Sequence, residues 1–549
     1  MDLFRKKPLH GKLAPEGEIH GGQSLGRHLS VRDLTFFGIA AIIGAGSFSS
    51  MGEACFEGGP GVVLLFVMCG IACGFTALCY AEFAARVPAS GSAYTYAYVS
   101  FGEVFAWIIG WALLMEYSIG NIYVAFSWSG YFTNLLDGLG LRLPEWLTIN
   151  YRSASRAFAE GTAGEGLNAW NTAPMLGGLR IIFDLPAVAI NAFITWLVYT
   201  GVKESRNASN AMVVVKLAII ALVVLVGAFH VDIDNWTPFM PNGFGGVMAG
   251  VSAVFFAYIG FDAVSTLAEE AQDPQRDLPR GMIGSLVICT VIYVVLALVL
   301  TGMVPWSQLG VSDPLAEVFK LREVKWMLYV VSIAAVVAMT SVMLVFQLGQ
   351  PRIWMSMSRD GLLPKRFAKV HPKYRTPGFS TIVTGLVVGV PIFFTDERFI
   401  LDFTSIGTLF AFVLVCGGVL FLPHREKVKG RFHLPFFNSR WTAPALLLGV
   451  IALVAVQVPG YFTGLLNVNE HAAQHIPQLI FWPLAVLLAV IAHVKQWSLI
   501  PLLGLLSCCY LLTGMDVSNW TWFGIWLVIG LACYFAYGYH HSKLASSRP

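Results

Sequence analysis

Two short runs have backbones that can bind a charged solute. Ile42-Ile43-Gly44-Ala45-Gly46-Ser47-Phe48 and Phe255-Phe256-Ala257-Tyr258-Ile259-Gly260-Phe261-Asp262 each place glycine near the middle of an apolar stretch. A helix interior in hydrocarbon should avoid glycine clusters, because every backbone group left unpaired there is costly. A helix broken at such a run frees N–H groups at the start of one half and C=O groups at the end of the other. N–H groups at Gly46 and Ser47 suit a carboxylate, helped by the positive end of the half-helix dipole. Carbonyls at Ile42, Phe256, Ala257 and Ile259 suit an ammonium. A zwitterion whose charges lie a few ångströms apart, such as an α-amino acid head group, matches the pair. The candidate binding set is therefore Ile42, Ile43, Gly44, Ala45, Gly46, Ser47, Phe256, Ala257, Ile259 and Asp262. Taken alone, Gly44-x-Gly46 also reads as close helix packing. A second break in matching register favours a site.

Ionisable side chains inside apolar stretches are the second signal, since a mid-bilayer charge costs about 2.5–3.5 kcal/mol on insertion scales. Lys216 lies within Ala211–Ile220, about two turns from one end. It reads either as a snorkelling lysine or as a functional cation. Glu116 lies mid-stretch in Trp111–Tyr117. It reads as a functional acid or as a structural one facing the bundle interior. Asp262 directly follows the second break, where it either caps the next half-helix or joins the site. Glu82 and Arg86, four apart, make an i,i+4 pair at a gate or on a surface. No catalytic residue and no metal site is assigned. His371, His424 and His433 are spread over two loops, and no His-Glu-x-x-His, Gly-x-Ser-x-Gly or phosphate-cradling motif occurs. The nine cysteines have neither zinc nor disulfide-framework spacing.

These residues need helices that can hold them in lipid. The chain has 549 residues, 56% hydrophobic and 12% charged, against about 25% charged in soluble domains. The apolar excess must face something other than water. That excludes a soluble enzyme, a disordered scaffold and a nucleic-acid binder, and a net charge of +3 is too small for a polyanionic partner. With about 20 apolar residues needed per span, fourteen candidates appear. They lie near 33–56, 61–84, 103–131, 184–201, 210–229, 245–268, 281–303, 326–350, 380–395, 400–422, 442–459, 476–493, 497–514 and 520–539. With the N-terminus inside, Lys and Arg favour the cytoplasmic segments by roughly three to one. An even number of spans returns the C-terminus to the cytoplasm.

The expected architecture is an all-α polytopic membrane protein. The breaks fall in spans one and six, each opening a set of five; five is odd, so the two sets have opposite topology, as an inverted repeat requires. The divisions are a cytoplasmic tail (1–32), a first repeat (33–229), a second repeat (245–422), four further helices (442–539) and a second tail (540–549). The first repeat includes an external loop at about 132–183, with a short helix expected near Pro144–Leu147.

Further residues give a resemblance. Ile43-Gly44-Ala45-Gly46, Gly59-Pro60, Cys79-Tyr80-Ala81-Glu82-Phe83, Val87-Pro88 through Gly91-Ser92-Ala93-Tyr94, and Ile109-Gly110-Trp111 come first. Glu116-Tyr117, Gly201-Val202-Lys203-Glu204-Ser205, Tyr258-Ile259-Gly260-Phe261-Asp262, Pro351-Arg352 and Ser358-Arg359-Asp360-Gly361-Leu362-Leu363 follow in order. Over most of residues 30–422 the sequence resembles the amino acid–polyamine–organocation superfamily, and within it the cationic amino acid transporter branch and its bacterial relatives. The resemblance implies a five-plus-five, leucine-transporter-like core, alternating access, L-amino acid substrates and a plasma (inner) membrane location with both termini cytoplasmic. It implies no bound cofactor, with the proton as coupling ion. Lys216 then takes the place of a sodium ion and braces the fifth helix against the first, with Glu116 nearby as its coupling partner. Ser47, Ser49 and Ser50 stand where many relatives are apolar, and Ala112 where some carry an acid, so charge preference stays open between cationic and neutral substrates. Met339 or Met343 of the eighth helix is expected at the side-chain end of the pocket. The last four helices pack or oligomerise. The competing readings are an uncoupled exchanger with Lys216 structural, a membrane-embedded enzyme, and a channel, for which no filter repeat or arginine ladder is present.

Overall fold

The computed structural model describes residues 4–7, 27–44, 46–161, 164–311, 313–395, 397–423, 431–457, 460–466, 472–515 and 517–546. Ala45 therefore lies outside the described residues. The fold is helical, and the strands among the described residues are one antiparallel pair, Met175–Leu176 with Leu179–Arg180. In chain order the main helices are α1 (Val31–Ile42), α2 (Met51–Gly58), α3 (Val62–Arg86), α4 (Ala93–Ser100), α5 (Glu103–Gly138) and α6 (Leu185–Thr200). Next come α7 (Val202–Ala228), α8 (Val251–Tyr258), α9 (Pro274–Met303), α10 (Pro314–Leu321), α11 (Lys325–Arg359) and α12 (Gly378–Ile392). The last are α13 (Glu397–Leu420), α14 (Thr442–Gln457), α15 (Ala472–Lys495), α16 (Leu499–Leu512) and α17 (Val517–Cys533). Among the described residues, seven helices are long and apolar enough to cross a bilayer. An eighth is added if the bent pair Gly243–Ala249 and Ala253–Glu270 is one span, and five more apolar helices are shorter.

Local sequence sets where the interrupted helices start and stop. Ser30 opens α1 with a capping box, its hydroxyl accepting from Asp33 N while the Asp33 carboxylate accepts from Ser30 N at 2.9 Å. The helix stops when Ile43 turns to extended backbone (ψ 97°). The chain resumes as a π-helical turn over Gly46–Ser50 and then α2. The second interruption has the same logic. Ile259 is extended, Gly260 has φ +113°, and the chain resumes as a 3-10 segment, Phe261–Glu270.

The interruptions press on each other. A Cβ at Gly46 would lie 2.6 Å from Ala257 Cα, and one at Gly260 would lie 2.8 Å from Ala41 Cβ. Glycine is required at Gly260 twice over, by its backbone conformation and by this close approach.

Two further features differ from or extend the sequence reading. Helix α5 continues to Gly138, past the expected end. The segment beyond it, expected as a loop with a short helix near Pro144–Leu147, has a 3-10 turn at Glu145–Leu147 and in addition helices Tyr151–Glu160 and Glu165–Thr172, so it is a small folded cap. These surround Ala154, Ala169, Ala173 and Ile182, with Trp146 and Trp170 packed on them. At the other end of the chain, α17 packs along α5. Trp111 and Trp526 stack at 4.7 Å, and each indole donates to the other's carbonyl, at 2.9 and 3.0 Å.

Gly260→Ala should lower stability by about 1–3 kcal/mol, from strain in the positive-φ region together with the Ala41 clash. Thermal unfolding of the detergent-purified protein measures it, and an unchanged melting temperature would mean that the two interruptions do not press on each other.

Candidate functional site

The end of α1 leaves carbonyls with no intrahelical donor, a negative pole inside the bundle. Lys216 of α7 meets them. Its Nζ donates to the carbonyls of Ile43 (2.8 Å), Ile39 (3.0 Å) and Ala40 (3.2 Å), and to Ser341 Oγ of α11 at 2.9 Å. Lys216 is fully buried. It is not snorkelling. Hard carbonyl and hydroxyl oxygens of this kind also suit a small cation, so the ammonium occupies a cation-like site joining α1, α7 and α11. Among the described residues no carboxylate takes part.

On the far side of the interruption, Ser47 is not a free donor. Its N–H and its hydroxyl both bond to the Gly44 carbonyl, at 3.0 and 2.8 Å, and Phe48 N–H reaches the same oxygen at 3.2 Å. Among the described residues, Gly46 N–H, first in its turn, meets no backbone acceptor. Of the expected carbonyls, those of Ile42 and Ala257 both accept from one hydroxyl, Tyr293 of α9, at 2.9 Å each. Tyr293 is fully buried and staples the two interruptions together. Sequence reasoning missed it: a tyrosine within an apolar helix gives no sign of which way it faces. The Phe256 carbonyl accepts from Ile259 N–H at 3.2 Å.

Between the interruptions lies a cavity of about 30 Å³, room for one or two waters. Ala41, Ile42, Gly44 and Gly46 line it from the first interruption, and Phe256 and Ile259 from the second. Gly120 and Val124 of α5 and Val342 and Phe346 of α11 complete it. From α11 the lining residues are thus Val342 and Phe346, not Met339 or Met343. Every side chain in the lining is apolar.

The acids lie behind this wall. Tyr117 stacks on Phe346, with ring centroids 5.3 Å apart, and donates through its hydroxyl to Asp262 Oδ2 at 3.4 Å. Glu116 lies beside Asp262 and Thr408. Neither Glu116 oxygen, nor Asp262 Oδ1, completes a hydrogen bond among the described residues. Among the described residues Glu116 neighbours Asp262, and no contact joins it to Lys216.

Away from the cavity, the elements that follow and precede the interruptions are tied together by paired backbone and charge. His28 and Leu29 N–H donate to the Glu270 carbonyl at 2.9 and 3.0 Å. Arg352 holds the Glu270 carboxylate at 2.6 and 3.0 Å, with both side chains buried. Ser92 and Ser265 hydroxyls meet at 2.5 Å. Glu82 and Arg86 pair at 2.6 Å, and both also hold the segment after α13: Glu82 accepts from Leu434 N–H at 2.7 Å and Arg86 donates to the Pro423 carbonyl at 2.8 Å.

Comparison with known proteins adds a separate line. A family model described as "Amino acid permease" matches residues 29–490, and one described as "C-terminus of AA_permease" matches residues 499–542. The branched-chain amino acid permease BcaP of Bacillus subtilis is 37% identical over 548 residues, covering 99% of this chain and 99% of that protein. The methylthioribose transporter of the same bacterium is 40% identical over 460 residues, covering 83% of this chain and 93% of that one. Human cationic amino acid transporter 4 is 31% identical over 600 residues, covering 97% and 90%.

Tyr293→Phe leaves the Ile42 and Ala257 carbonyls without a donor in a dry interior. A loss of about 1–3 kcal/mol is expected, read as a lower melting temperature with the protein still monodisperse; no loss would mean that the hydroxyl does not hold the two interruptions together.

Proposed function

The chain belongs to the amino acid permease family, and from that premise we propose that it is a secondary transporter moving L-amino acids across the plasma membrane by alternating access, coupled to protons through Lys216. The relatives are transporters rather than enzymes, and the chain is a membrane protein. The proposed frame is a five-plus-five inverted repeat within about fourteen spans, both termini cytoplasmic. The two ends of the chain meeting at one residue supports termini on one side: Lys7 Nζ reaches Asp360 Oδ1 at 2.7 Å, and Lys543 N–H reaches the Asp360 carbonyl at 3.0 Å.

The observation that carries the reading is the Lys216 ammonium on the three α1 carbonyls. Charged, it ties α7 and α11 to the interrupted helix; neutral, it loses a hydrogen and the attraction to the helix end. Proton loss and helix release are then one event. The second reading, an exchanger with Lys216 structural, is favoured by how completely the ammonium is satisfied.

For the cargo, the names of the relatives point to branched-chain amino acids, to methylthioribose and to cationic amino acids, so similarity leaves the side chain open. The cavity favours a neutral, apolar one. Its lining offers no charge, and Asp262 and Glu116 stand behind the Tyr117–Phe346 stack. A cationic side chain would be desolvated there without a partner. The head group is placed at Gly46 N–H and at the carbonyls beside Tyr293, and the cavity must expand to admit it.

Two measurements test this. Valine, leucine, isoleucine or methionine should raise the melting temperature of the purified protein, in the way that a ligand bound to the folded state does. Stabilisation by arginine or lysine alone would overturn the neutral assignment. Lys216→Ala should abolish uptake driven by an inward proton gradient in proteoliposomes while leaving the chain folded. Full stimulation by external acid in that variant would leave the exchanger reading.

A further inference from the structure

The loop between α11 and α12 carries five cations and no acid. Residues 361–377 contain Lys365, Arg366, Lys369, Lys373 and Arg375, with no Asp or Glu between Asp360 and Asp396. All five are exposed, and among the described residues none pairs with a carboxylate. An excess of cations on one side of a membrane protein is general and by itself names no partner. Three features of this loop do.

The loop is built rather than slack. Its first part is a 3-10 turn, Lys365–Ala368. Phe367 anchors that turn, stacked on Trp354 at 5.1 Å and edge-on to Phe379 at 5.0 Å, while its carbonyl accepts from Ser380 Oγ at 2.8 Å. Ser358 Oγ holds the Pro364 carbonyl at 2.7 Å. In the second part, His371 N–H donates to the Thr376 carbonyl at 2.7 Å and Arg375 N–H to the His371 carbonyl at 2.9 Å. Thr376 Oγ1 donates to the Tyr199 carbonyl of α6 at 3.0 Å, and the Tyr199 ring packs on His371 and Tyr374. The cations thus stand on a folded platform, so little backbone freedom is lost when a ligand binds.

The cations also converge. Lys369 closes the turn, its N–H donating to the Arg366 carbonyl at 3.3 Å. Residues three apart in a 3-10 turn eclipse, which sets Arg366 and Lys369 on one side with Lys365 adjacent. A guanidinium fork beside two point charges suits a phosphate group.

An apolar stripe begins where the loop ends. Phe379, Ile382 and Leu386 of α12 recur at i, i+3 and i+7 and are 41%, 49% and 58% exposed. Asn191 of α6 donates to the Gly385 carbonyl at 3.0 Å, and exposed Phe193 and Trp196 extend the apolar surface on α6. Helices α6 and α12 have 16 and 15 residues, about 24 and 23 Å, against a hydrocarbon core of about 30 Å. A bilayer thins around short helices, which brings head groups toward this loop.

We propose that this corner binds an anionic phospholipid, with Lys365, Arg366 and Lys369 on the head-group phosphate and the acyl chains along Phe379, Ile382 and Leu386. A lipid fits better than a free phosphate because Phe367 belongs to the cationic turn and packs on the first residue of the apolar stripe. The site depends on neither cargo nor coupling; only its assignment to the cytoplasmic leaflet rests on the proposed orientation. Occupied, it tethers to the membrane surface the end of α11, the helix that supplies Ser341 to Lys216 and Val342 and Phe346 to the cavity.

Native mass spectrometry of the detergent-purified protein, given equimolar dioleoylphosphatidylglycerol and dioleoylphosphatidylcholine, reads the preference as the ratio of singly lipid-bound species. A cation near an anionic head group is worth about fivefold, so the unchanged chain should favour phosphatidylglycerol by at least about tenfold. Lys365→Gln with Arg366→Gln and Lys369→Gln should bring the ratio close to parity. Arg431→Gln with Arg440→Gln and Lys495→Gln removes the same charge from other exposed positions and should leave the preference intact. Lys365→Arg with Lys369→Arg keeps the charge and should keep the preference. Glycerol phosphate in excess should not displace the bound lipid. The site is overturned if the unchanged chain shows no preference, or if both neutralised triples lose it alike, since diffuse charge then suffices. Displacement by glycerol phosphate overturns it too, because the acyl chains then contribute nothing.

Discussion

Backbone polar groups have no water to turn to inside a bilayer, and that constraint governs the centre of this molecule. Each interruption of a helix exposes N–H and C=O groups that cost several kcal/mol apiece if left alone. The structure answers with two side chains of opposite kind. Lys216 shares its three hydrogens among the carbonyls at the end of α1 and Ser341 Oγ, and Tyr293 brings one hydrogen shared by Ile42 and Ala257. What remains open between the interruptions is a small apolar cavity with a few main-chain groups at its edge.

The interruptions and the intramembrane lysine were legible in the sequence because glycine and charge are rare events in a spanning helix. Gly46 and Gly260 announce a close approach, and the structure puts them against Ala257 and Ala41. The direction of a side chain was not legible. A helix wrapped by lipid and protein is apolar all round, so its rotation leaves no periodic trace. That is why Met339 and Met343 looked as good as Val342 and Phe346, why Tyr293 passed unnoticed, and why Glu116 could not be assigned to Asp262 in place of Lys216. Ser47 escaped for a different reason: its hydroxyl and N–H fold back on Gly44 within one turn, a local competition that composition does not reveal. The folded cap beyond Gly138 was hidden because small and polar residues read as loop until Trp146 and Trp170 are seen to share a core.

The two sides of the cavity lining are held by different contacts. On one, Arg352 holds the buried Glu270 carboxylate bidentately, and Arg359 meets the partly buried Glu269 at 2.8 and 2.9 Å. Removing one partner of a buried pair of this kind is costly because it leaves the other charge uncompensated. On the other, the Tyr131 hydroxyl lies 2.9 Å from Asp313 Oδ1 and 3.3 Å from the Phe48 carbonyl of the interrupted helix.

Helix α5 relates the two sides. Tyr117, Gly120, Val124 and Tyr131 are spaced by three, four and seven residues, so they share one face over about 21 Å of helix. That face supplies the floor through the Tyr117–Phe346 stack, the wall through Gly120 and Val124, and the contact with Phe48 through Tyr131. Its opposite flank is held by the Trp111–Trp526 stack, and its first turn by Glu103, which is buried and accepts from Tyr98, Tyr534 and Ser542 at 2.8, 2.8 and 2.5 Å. Tyr117 and Tyr131 thus bracket, on one face of α5, the Gly120 and Val124 that line the cavity.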